Sequence, residues 1–266
     1  MPRAAGAPGA AHALAKSNYR MDEKVILITG GARRIGAVIT RTLHGAGARL
    51  VIHSNRSRDA AKKLADELNA VRPHSAALVQ GDLLATNALQ GLAEQAASMF
   101  GRLDGLVNNA SNFYPTPVGA ISEDDWNDLM GANLRAPLLL SQAVAPHLRK
   151  THGAIVNIVD IHAWRPLKNF VVYSVAKAGL AGLTRSLALE LGPEVRVNGV
   201  APGAILWPEG GEHFAPEEQA RIVAQTPLAR VGSPEDIAGA VKYLMLDAPF
   251  VTGQVLAVDG GRDVVM

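Results

Sequence analysis

Three side chains capable of proton chemistry follow one apolar stretch in the second half of the chain. Residues 155–159 are apolar apart from one asparagine, and Asp160 ends the run. Such a run predicts a strand buried on both faces, whose carboxyl end lies where open α/β sheets bind ligands. Tyr173 and Lys177 are four residues apart on the helix predicted next, so they share a face. An ammonium group beside a phenol lowers the pKa of the phenol, which would make Tyr173 a tuned proton donor and acceptor.

Taken alone, this spacing is common by chance and favours a packed tyrosine, a solvated lysine and a loop aspartate. The start of the chain favours the chemical interpretation. A predicted strand over residues 24–29 runs directly into Gly30 and Gly36, and a helix follows. Glycines let the backbone approach a pyrophosphate, and the helix N-terminus offers unpaired amides to it. This order indicates the opening of a dinucleotide-binding βαβ unit.

The end of the second predicted strand indicates which dinucleotide would bind. An NAD site usually places a carboxylate here for the ribose hydroxyls, but no carboxylate occurs before Asp59. Arg56 and Ser57 would instead suit a 2′-phosphate, since a guanidinium binds phosphate oxygens through two donors. NADP is therefore favoured over NAD, with an exposed loop arginine as the alternative interpretation.

Two further predicted strands also deliver polar residues at their carboxyl ends. Asp82 follows the strand over residues 76–80, and it fits either an N-cap of the next helix, the simpler interpretation, or a contact to an adenine amino group. Residues 108–111 end the fourth strand, and residues 111–117 add aromatic and proline side chains. Aromatic side chains beside a cleft suit a flat, ring-shaped ligand.

Two segments in the middle and late chain carry less regular signals. A helix is predicted over residues 126–148 with interruptions at Gly131 and Pro137, and Asn133 inside it either faces solvent or organises a buried polar site. Residues 204–226 show no clear period, which is typical of a loop that covers an active site as a lid.

Composition excludes several other classes of protein. Hydrophobic residues make up 48% of the 266 residues and charged ones 19%, which is enough for a substantial core. The net charge of +2, without a basic stripe, predicts no nucleic-acid partner. The chain has no cysteine and no histidine spacing typical of a metal site, so we expect neither thiolate catalysis nor a metal.

The location and the domain organisation follow from the same composition. No apolar run is long enough to cross a membrane, and residues 1–20 lack the apolar segment of a signal peptide. We therefore expect a cytoplasmic protein with a disordered tail over residues 1–20. From residue 21 to residue 266 strands and helices alternate without a linker or repeat. This predicts a single-domain Rossmann-type fold, a doubly wound parallel sheet of about seven strands with helices on both faces.

The order of these motifs resembles the short-chain dehydrogenase/reductase family from about Lys24 to the C-terminus. The residues that carry the resemblance are Thr29, Gly30, Gly36, Asn109, Ala110, Asn133, Tyr173, Lys177, Pro202 and Gly203. It implies that Tyr173 is the acid/base, that Lys177 binds the nicotinamide ribose, and that Asn133 supports a water relay. The cofactor contacts it implies, together with those reasoned above, are Gly30, Arg34, Ile35, Gly36, Asn55, Arg56, Ser57, Asp82, Leu83, Asn109, Ala110, Ser111, Tyr173, Lys177, Pro202 and Gly203. A homo-oligomer, commonly a tetramer in this family, is implied as well.

Three departures from the general family pattern look like its pteridine reductase branch. Arg34 replaces the usual third glycine of the first turn, Asp160 replaces a serine, and the loop after Ala110 begins Ser-Asn-Phe-Tyr-Pro. This resemblance implies that Phe113 sandwiches a pterin against the nicotinamide. It also implies that Arg34, Ser111, Phe113 and Tyr173 bind the substrate.

The expected activity is therefore NADPH-dependent reduction of a pterin ring, from a dihydropterin or dihydrofolate-like substrate to the tetrahydro form. Asp160, Tyr173 and Lys177 would supply the proton, since an ionised Asp160 opposes Lys177 by disfavouring the phenolate. One alternative is a general carbonyl reductase, for instance of 3-oxoacyl thioesters, which predicts serine at position 160 and a plainer loop. Another is a non-enzymatic NADP sensor, which would be expected to lose Tyr173 or Lys177.

Overall fold

Seven parallel strands form one sheet in the spatial order β3-β2-β1-β4-β5-β6-β7 in the computed structural model, which describes residues 24–207 and 215–265. The strands are β1 (Val25–Ile28), β2 (Arg49–Ser54), β3 (Ala76–Gln80), β4 (Gly105–Asn108), β5 (Ala154–Ile158), β6 (Arg196–Pro202) and β7 (Val255–Val258). The order reverses between β1 and β4, so a crevice opens there at the carboxyl ends of the strands. The predicted doubly wound fold is confirmed.

Helices cover both faces of this sheet, as predicted. They are α1 (Arg34–Gly45), α2 (Arg58–Val71), α3 (Leu89–Ser98), α4 (Glu123–Met130), α5 (Ala136–Thr151), α6 (Val171–Leu191), α7 (Pro216–Ala224), α8 (Pro234–Lys242) and α9 (Arg262–Val265). Ile26 and Ile28 of β1 pack in the core beneath α1, α2 and α8, whereas Val25 and Leu27 pack beneath α3, α5 and α6. Side chains alternate along a strand, so a strand buried on both faces needs this continuous apolar run.

The helix predicted over residues 126–148 is present, and its interruption is a π-helical segment, Gly131–Arg135, between α4 and α5. The helix starts earlier than predicted, because Ser122 and Asp125 form a capping box in which each side chain bonds the other residue's backbone N–H. A π-helical turn widens the helix and often marks a functional site. Here it carries Asn133.

The predicted capping role of Asp82 is wrong. Its Oδ1 accepts a hydrogen bond from the backbone N–H of Leu84 (3.0 Å) in a turn, and α3 begins only at Leu89. A short 3-10 helix, Thr86–Ala88, intervenes between that turn and α3. The Asp82 side chain therefore closes a local turn at the end of β3.

The segment predicted as a lid is more regular than its sequence period suggested. Its second part forms α7, which has a proline in its first turn followed by Glu217 and Glu218. Proline and acidic residues at a helix N-terminus are a start signal that the expectation of a loop overlooked. Residues 208–214 of the predicted lid and the predicted tail over residues 1–20 lie outside the described residues.

The sequence predicts neither a membrane-spanning helix nor a metal site. Within residues 24–207 and 215–265, no helix is both long and apolar enough to cross a membrane. The same residues contain no group of three or more histidine, aspartate or glutamate side chains placed to hold a metal ion.

Candidate active site

A cleft of about 1010 Å³ opens at the carboxyl ends of the strands and continues beneath α7. This volume lies at the upper end of the range of roughly 300–1,000 Å³ for small-molecule and cofactor sites. All the residues predicted to bind or act on a ligand line this cleft: Gly30, Arg34, Ile35, Gly36, Asn55, Arg56, Ser57, Asp82, Leu83, Asn109, Ala110, Ser111, Phe113, Asp160, Tyr173, Lys177, Pro202 and Gly203. Their individual roles stay predictions.

Asp160, Tyr173 and Lys177 meet at the centre of the cleft. Tyr173 Oη donates a hydrogen bond of 2.7 Å to Asp160 Oδ2. The other carboxylate oxygen accepts from the backbone N–H of His162 at 2.8 Å, which fixes the orientation of the carboxylate. Lys177 is 2% exposed, and its Nζ donates to the carbonyl of Ile158 at 2.8 Å. The end of β5 and helix α6 thus hold the three side chains together, with Tyr173 and Lys177 buried and Asp160 half-buried.

The surroundings of Tyr173 favour the protonated form of its phenol. Burial raises the pKa of Tyr173 well above its ordinary value, and the charge of Asp160 and its accepted hydrogen bond raise it further. The expectation that Lys177 lowers the phenol's pKa is therefore wrong, whereas the expected opposition by Asp160 is confirmed. Burial also lowers the pKa of Lys177 to about 8, although Asp160 raises it in part. The charge on Lys177 thus changes near neutral pH.

Aromatic rings form one wall of the cleft beside Tyr173. Phe113 stacks on Phe170 with ring centroids 4.5 Å apart, and it meets Tyr173 edge to face at 4.8 Å. Both are favourable geometries for aromatic pairs. Phe170, which precedes α6 and is 5% exposed, was not predicted as part of the site. The stack places the loop aromatic beside the phenol.

Asp128 on α4 anchors the loop that carries Phe113, a role that the sequence did not reveal. Its carboxylate accepts hydrogen bonds of 2.9 Å from Asn112 Nδ2 and of 3.0 Å from Tyr114 Oη. Burial, together with this hydrogen bond, raises the pKa of Tyr114 to about 12. The residues on either side of Phe113 are thus tied to one carboxylate.

Asn133 is 1% exposed, so the alternative of a buried polar site is correct. Its Oδ1 accepts from Ser111 Oγ at 2.6 Å, and its Nδ2 donates to the carbonyls of Asn112 and Leu129, both at 2.9 Å. The amide therefore fixes the start of the aromatic loop. Its part in a water relay stays a prediction.

The turn after β1 is shaped for close approach of a ligand backbone. Gly30 and Arg34 have positive φ angles of 60° and 50°, a conformation that favours glycine. A Cβ on Gly36 would lie 2.2 Å from the carbonyl oxygen of Gly30 and 2.6 Å from Asn109 Nδ2. No described side chain caps the N-terminus of α1 and no acidic residue lies in its first turn. The amides of this helix N-terminus therefore fit an anion such as a pyrophosphate.

His53, near the end of β2, supports this turn by accepting a hydrogen bond from its backbone. It is 1% exposed, its Nδ1 accepts from Gly30 N at 3.4 Å, and its Nε2 contacts the carbonyl of Gly81 at 3.0 Å. Burial lowers the pKa of the imidazole, which favours the neutral ring. A neutral ring that accepts at Nδ1 donates at Nε2, so His53 links the ends of three strands. The sequence signal that could have identified His53 is a polar residue at the end of a buried strand.

The exposed end of β2 fits a phosphate group. Asn55 and Arg56 are exposed at the mouth of the cleft, and Ser57 is half-buried. Among the hydrogen bonds and ion pairs of the described residues, none involves the Arg56 guanidinium, which is therefore available for a ligand. Together with the turn after β1, these residues fit a dinucleotide with a 2′-phosphate.

The C-terminal segment closes the cleft near Asp160, which the sequence did not indicate. Asp263 accepts a 3.0 Å hydrogen bond from Arg165 Nε in the loop that follows Asp160. The neighbouring Arg262 is 8% exposed, lines the cleft and donates to the carbonyl of Ile222 on α7 at 3.1 Å. The C-terminal residues thus join the loop that follows Asp160 to α7.

A dinucleotide-binding sheet with a buried tyrosine–lysine pair defines a class of oxidoreductase. A model of the family described as Enoyl-(Acyl carrier protein) reductase matches residues 30–263. The chain is 37% identical to pteridine reductase 1 of Leishmania tarentolae, over 89% of this chain and 95% of the relative. It is equally identical, at the same coverages, to a putative ketoacyl reductase 2 of granaticin polyketide synthesis from Streptomyces violaceoruber. The chain belongs to the short-chain dehydrogenase/reductase family.

A solved structure supports the same membership. FolM alternative dihydrofolate reductase 1 from Brucella canis, complexed with NADP, superimposes with a TM-score of 0.83 at 34% identity. The match covers 92% of this chain and 96% of the other. The prediction of a nicotinamide cofactor agrees with this membership.

Proposed function

We propose that the protein reduces a pterin ring with NADPH, converting a dihydropterin or dihydrofolate-like substrate to its tetrahydro form. The observation that carries the proposal is the hydrogen bond of 2.7 Å between Tyr173 Oη and Asp160 Oδ2. It places a carboxylate, instead of a neutral hydroxyl donor, beside the phenol that supplies the proton.

A carboxylate at this position favours reduction of a C=N bond over reduction of a ketone. Hydride addition to a ketone builds negative charge on oxygen, and an ionised Asp160 would repel that charge. A C=N bond accepts hydride more readily once its nitrogen carries a proton, and a nearby carboxylate favours the resulting positive charge. The negative charge of Asp160 therefore favours the protonated ring nitrogen that reduction of the ring requires.

The protein's own groups account for the proton. NADPH, when bound, supplies the hydride that forms the new C–H bond. Because the pKa of Tyr173 is raised, the phenol holds its proton at neutral pH and can release it only to a basic site in contact with it. We assign the protonation of the ring nitrogen to Tyr173, whose hydroxyl turns from Asp160 towards the ring as it gives up its proton. Asp160 then takes up a proton from solvent and passes it to the phenolate, which restores the starting state. Lys177, protonated below about pH 8, would bind the cofactor ribose and balance the charge of Asp160.

The aromatic wall supports a flat substrate. Phe170 backs Phe113 on one face, so the ring of Phe113 is held rigidly beside Tyr173. A rigid aromatic surface stacks on a planar heterocycle at little cost in side-chain entropy. Two of the similar proteins are described as a pteridine reductase and a dihydrofolate reductase, which supports the proposal. The ketoacyl reductase is equally identical, so identity alone does not choose between substrates.

Oxidation of NADPH, followed by the loss of its absorbance, tests the proposal with 7,8-dihydrobiopterin, dihydrofolate and acetoacetyl coenzyme A as separate substrates. We expect turnover on the pterins and none on the thioester. Asp160→Ala should lower kcat for a dihydropterin at least about tenfold, which corresponds to roughly 1.4 kcal/mol of lost transition-state stabilisation. Turnover confined to the thioester, or an Asp160→Ala enzyme with unchanged kcat, would show that the proposal is wrong.

A further inference from the structure

A second feature of the cleft, the Arg262 guanidinium, is not explained by proton transfer to the ring. This side chain is only 8% exposed, yet its one hydrogen bond to another described residue is to the carbonyl of Ile222. No carboxylate in the described part of the chain forms an ion pair with it. The carboxylate of Asp259 instead accepts from the backbone N–H groups of Gly261 (2.9 Å) and Asp263 (2.6 Å). Burial has the larger effect on the pKa of Arg262, and the charge of Asp259 raises that pKa in part, but Asp259 makes no ion pair with the guanidinium, so a ligand carboxylate can still bind there directly.

The free N–H groups of Arg262 remain open to the cleft. A guanidinium carries several donors in a planar fork, and one hydrogen bond leaves most of them available. Within the described part of the chain, no nitrogen of Arg262 is fully buried without a hydrogen-bond partner. The unpaired donors of Arg262 are thus not sealed in the core, and Arg262 is a lining residue of the cleft.

A second arginine adds positive charge at the same end of the cleft. Arg221 on α7 also lines the cleft and lies close enough to lower the pKa of Arg262, although burial is the larger cause. Glu218 offsets Arg221 only in part, since their closest atoms are 3.5 Å apart and both side chains are largely exposed. Arg262, Arg221 and Glu218 line the cleft, whereas Asp259, whose charge offsets Arg262 in part, does not, so the groups of this cluster that face the ligand are more positive than negative.

The position of Arg262 places this charge in the same cleft as the reacting centre. The adjacent Asp263 is bonded to Arg165 through both its side chain and its backbone carbonyl, each at 3.0 Å, and Arg165 belongs to the loop that Asp160 begins. On the other side, Asp259 packs so closely on Gly203 that a Cβ there would lie 2.7 Å from the Cβ of Asp259. Arg262 therefore stands between the catalytic loop and the turn that ends β6.

We propose that Arg262, assisted by Arg221, binds a carboxylate on the tail of the substrate, so that the preferred substrate is a dihydropterin carrying an acidic benzoylglutamate tail. This inference rests on the proposed function and makes it more specific, because an unconjugated pterin has no group for this site. A guanidinium fork and a carboxylate form two parallel charge-assisted hydrogen bonds. Arg262 would then bind the acidic tail and the carbonyl of Ile222 on α7 at the same time.

Kinetics with two substrates test the proposal. The quantity to measure is the ratio of kcat/KM for dihydrofolate to kcat/KM for 7,8-dihydrobiopterin, which lacks the acidic tail. Arg262→Gln keeps an amide that can still donate to Ile222, and we expect it to lower this ratio about tenfold, mainly through the KM for dihydrofolate. Arg262→Lys should recover part of the loss. Arg185→Gln removes an exposed arginine outside the cleft and should leave the ratio unchanged.

Three outcomes would overturn the proposal. An unchanged ratio in Arg262→Gln means that the arginine does not sense the tail. Equal losses of kcat/KM on both substrates mean that Arg262 only supports α7. A raised KM for NADPH with an unchanged ratio means that it serves the cofactor.

A binding measurement separates this inference from the proposed function. Calorimetry on the NADP-loaded protein should show that 4-aminobenzoylglutamate binds at least about tenfold more tightly than 4-aminobenzamide, which lacks the carboxylates. Arg262→Gln should abolish that difference. If the wild-type protein turns over no pterin but shows this difference, the carboxylate site stands and the ring assignment fails. If pterins are reduced and the two fragments bind alike, the carboxylate site fails and the proposed function stands.

Discussion

Tyr173 donates a hydrogen bond of 2.7 Å to Asp160, whereas Lys177, one helical turn further on, donates to the carbonyl of Ile158. The lysine Nζ lies 5.6 Å from the centroid of the tyrosine ring, and the hydrogen bonds of the described residues include none between the lysine and the phenol. The phenol's direct partner is therefore an acid. This arrangement keeps Tyr173 protonated and leaves Lys177 as the group that titrates within the working range of pH.

The first prediction concerns the alkaline limb of the pH profile. The pKa of Lys177 is about 8, and the charge of Asp160 raises it against the larger effect of burial. Asp160→Asn removes that charge, so the pKa of Lys177 falls and the lysine loses its proton at lower pH. If activity needs the protonated lysine, the alkaline limb of kcat/KM should begin near pH 8 in the wild type and move to lower pH in the variant. Tyr173 does not set this limb, because burial still raises its pKa.

Asp128→Asn is the matched control for this experiment. It also replaces a carboxylate that lines the cleft, but its hydrogen bonds go to the loop residues Asn112 and Tyr114. It should change the level of activity and leave the pH of the limb in place. A limb that stays fixed in Asp160→Asn, or moves to higher pH, would contradict the electrostatic account of Lys177.

A second prediction follows from the aromatic wall. Phe113→Ala removes the stack on Phe170 and the edge contact to Tyr173, so a planar substrate loses its supporting surface. We expect the KM for dihydropterin to rise about 2- to 10-fold, since aromatic pairs contribute roughly 0.5–1.5 kcal/mol each. Phe250→Ala is the control, because this phenylalanine is fully exposed outside the cleft. Equal effects of the two substitutions would mean that Phe113 does not contact the substrate.

The parts of the site that could be predicted from sequence are those that strand ends determine. Asp160, Asn109 and Pro202 each close a buried strand, and the parallel order of the sheet brings such ends to one edge. A hydrophobic run followed by a polar residue therefore predicts both burial and position. Tyr173 and Lys177 followed from helical spacing in the same way.

The parts that could not be predicted depend on contacts between distant segments. Arg262 meets Ile222, 40 positions away in the sequence, and Arg165 meets Asp263 over 98 positions. Contacts between such distant residues leave no periodic pattern in the local sequence. The raised pKa of Tyr173 also depended on tertiary structure, because burial is the largest of its causes.

The third prediction concerns stability at the turn after β1. Gly36→Ala should destabilise the fold by about 1–3 kcal/mol, because the added Cβ would overlap the backbone carbonyl of Gly30 at 2.2 Å. Gly239→Ala in α8 is the matched control, since a Cβ there meets no atom within 4 Å. It should stabilise the protein by roughly 0.5–1 kcal/mol, the usual gain of alanine over glycine inside a helix. Urea unfolding measures both, and a Gly36→Ala protein as stable as the wild type would show that the turn can relax.

The last prediction concerns the choice of cofactor. Arg56 lies exposed at the mouth of the cleft, without a protein partner among the described residues, and the proposal assigns it to the 2′-phosphate that distinguishes NADPH from NADH. Arg56→Gln should raise the KM for NADPH about tenfold or more, because a hydrogen bond to a charged group contributes roughly 1.5–3 kcal/mol. The KM for NADH should change by less than about twofold, since NADH has no phosphate there to lose. Arg58→Gln removes the same charge two residues further on, where the side chain does not line the cleft, and it should leave both constants close to wild type. If Arg56→Gln weakens both cofactors equally, Arg56 contributes only general charge, and the preference for NADPH has to come from Ser57 or from the turn after β1.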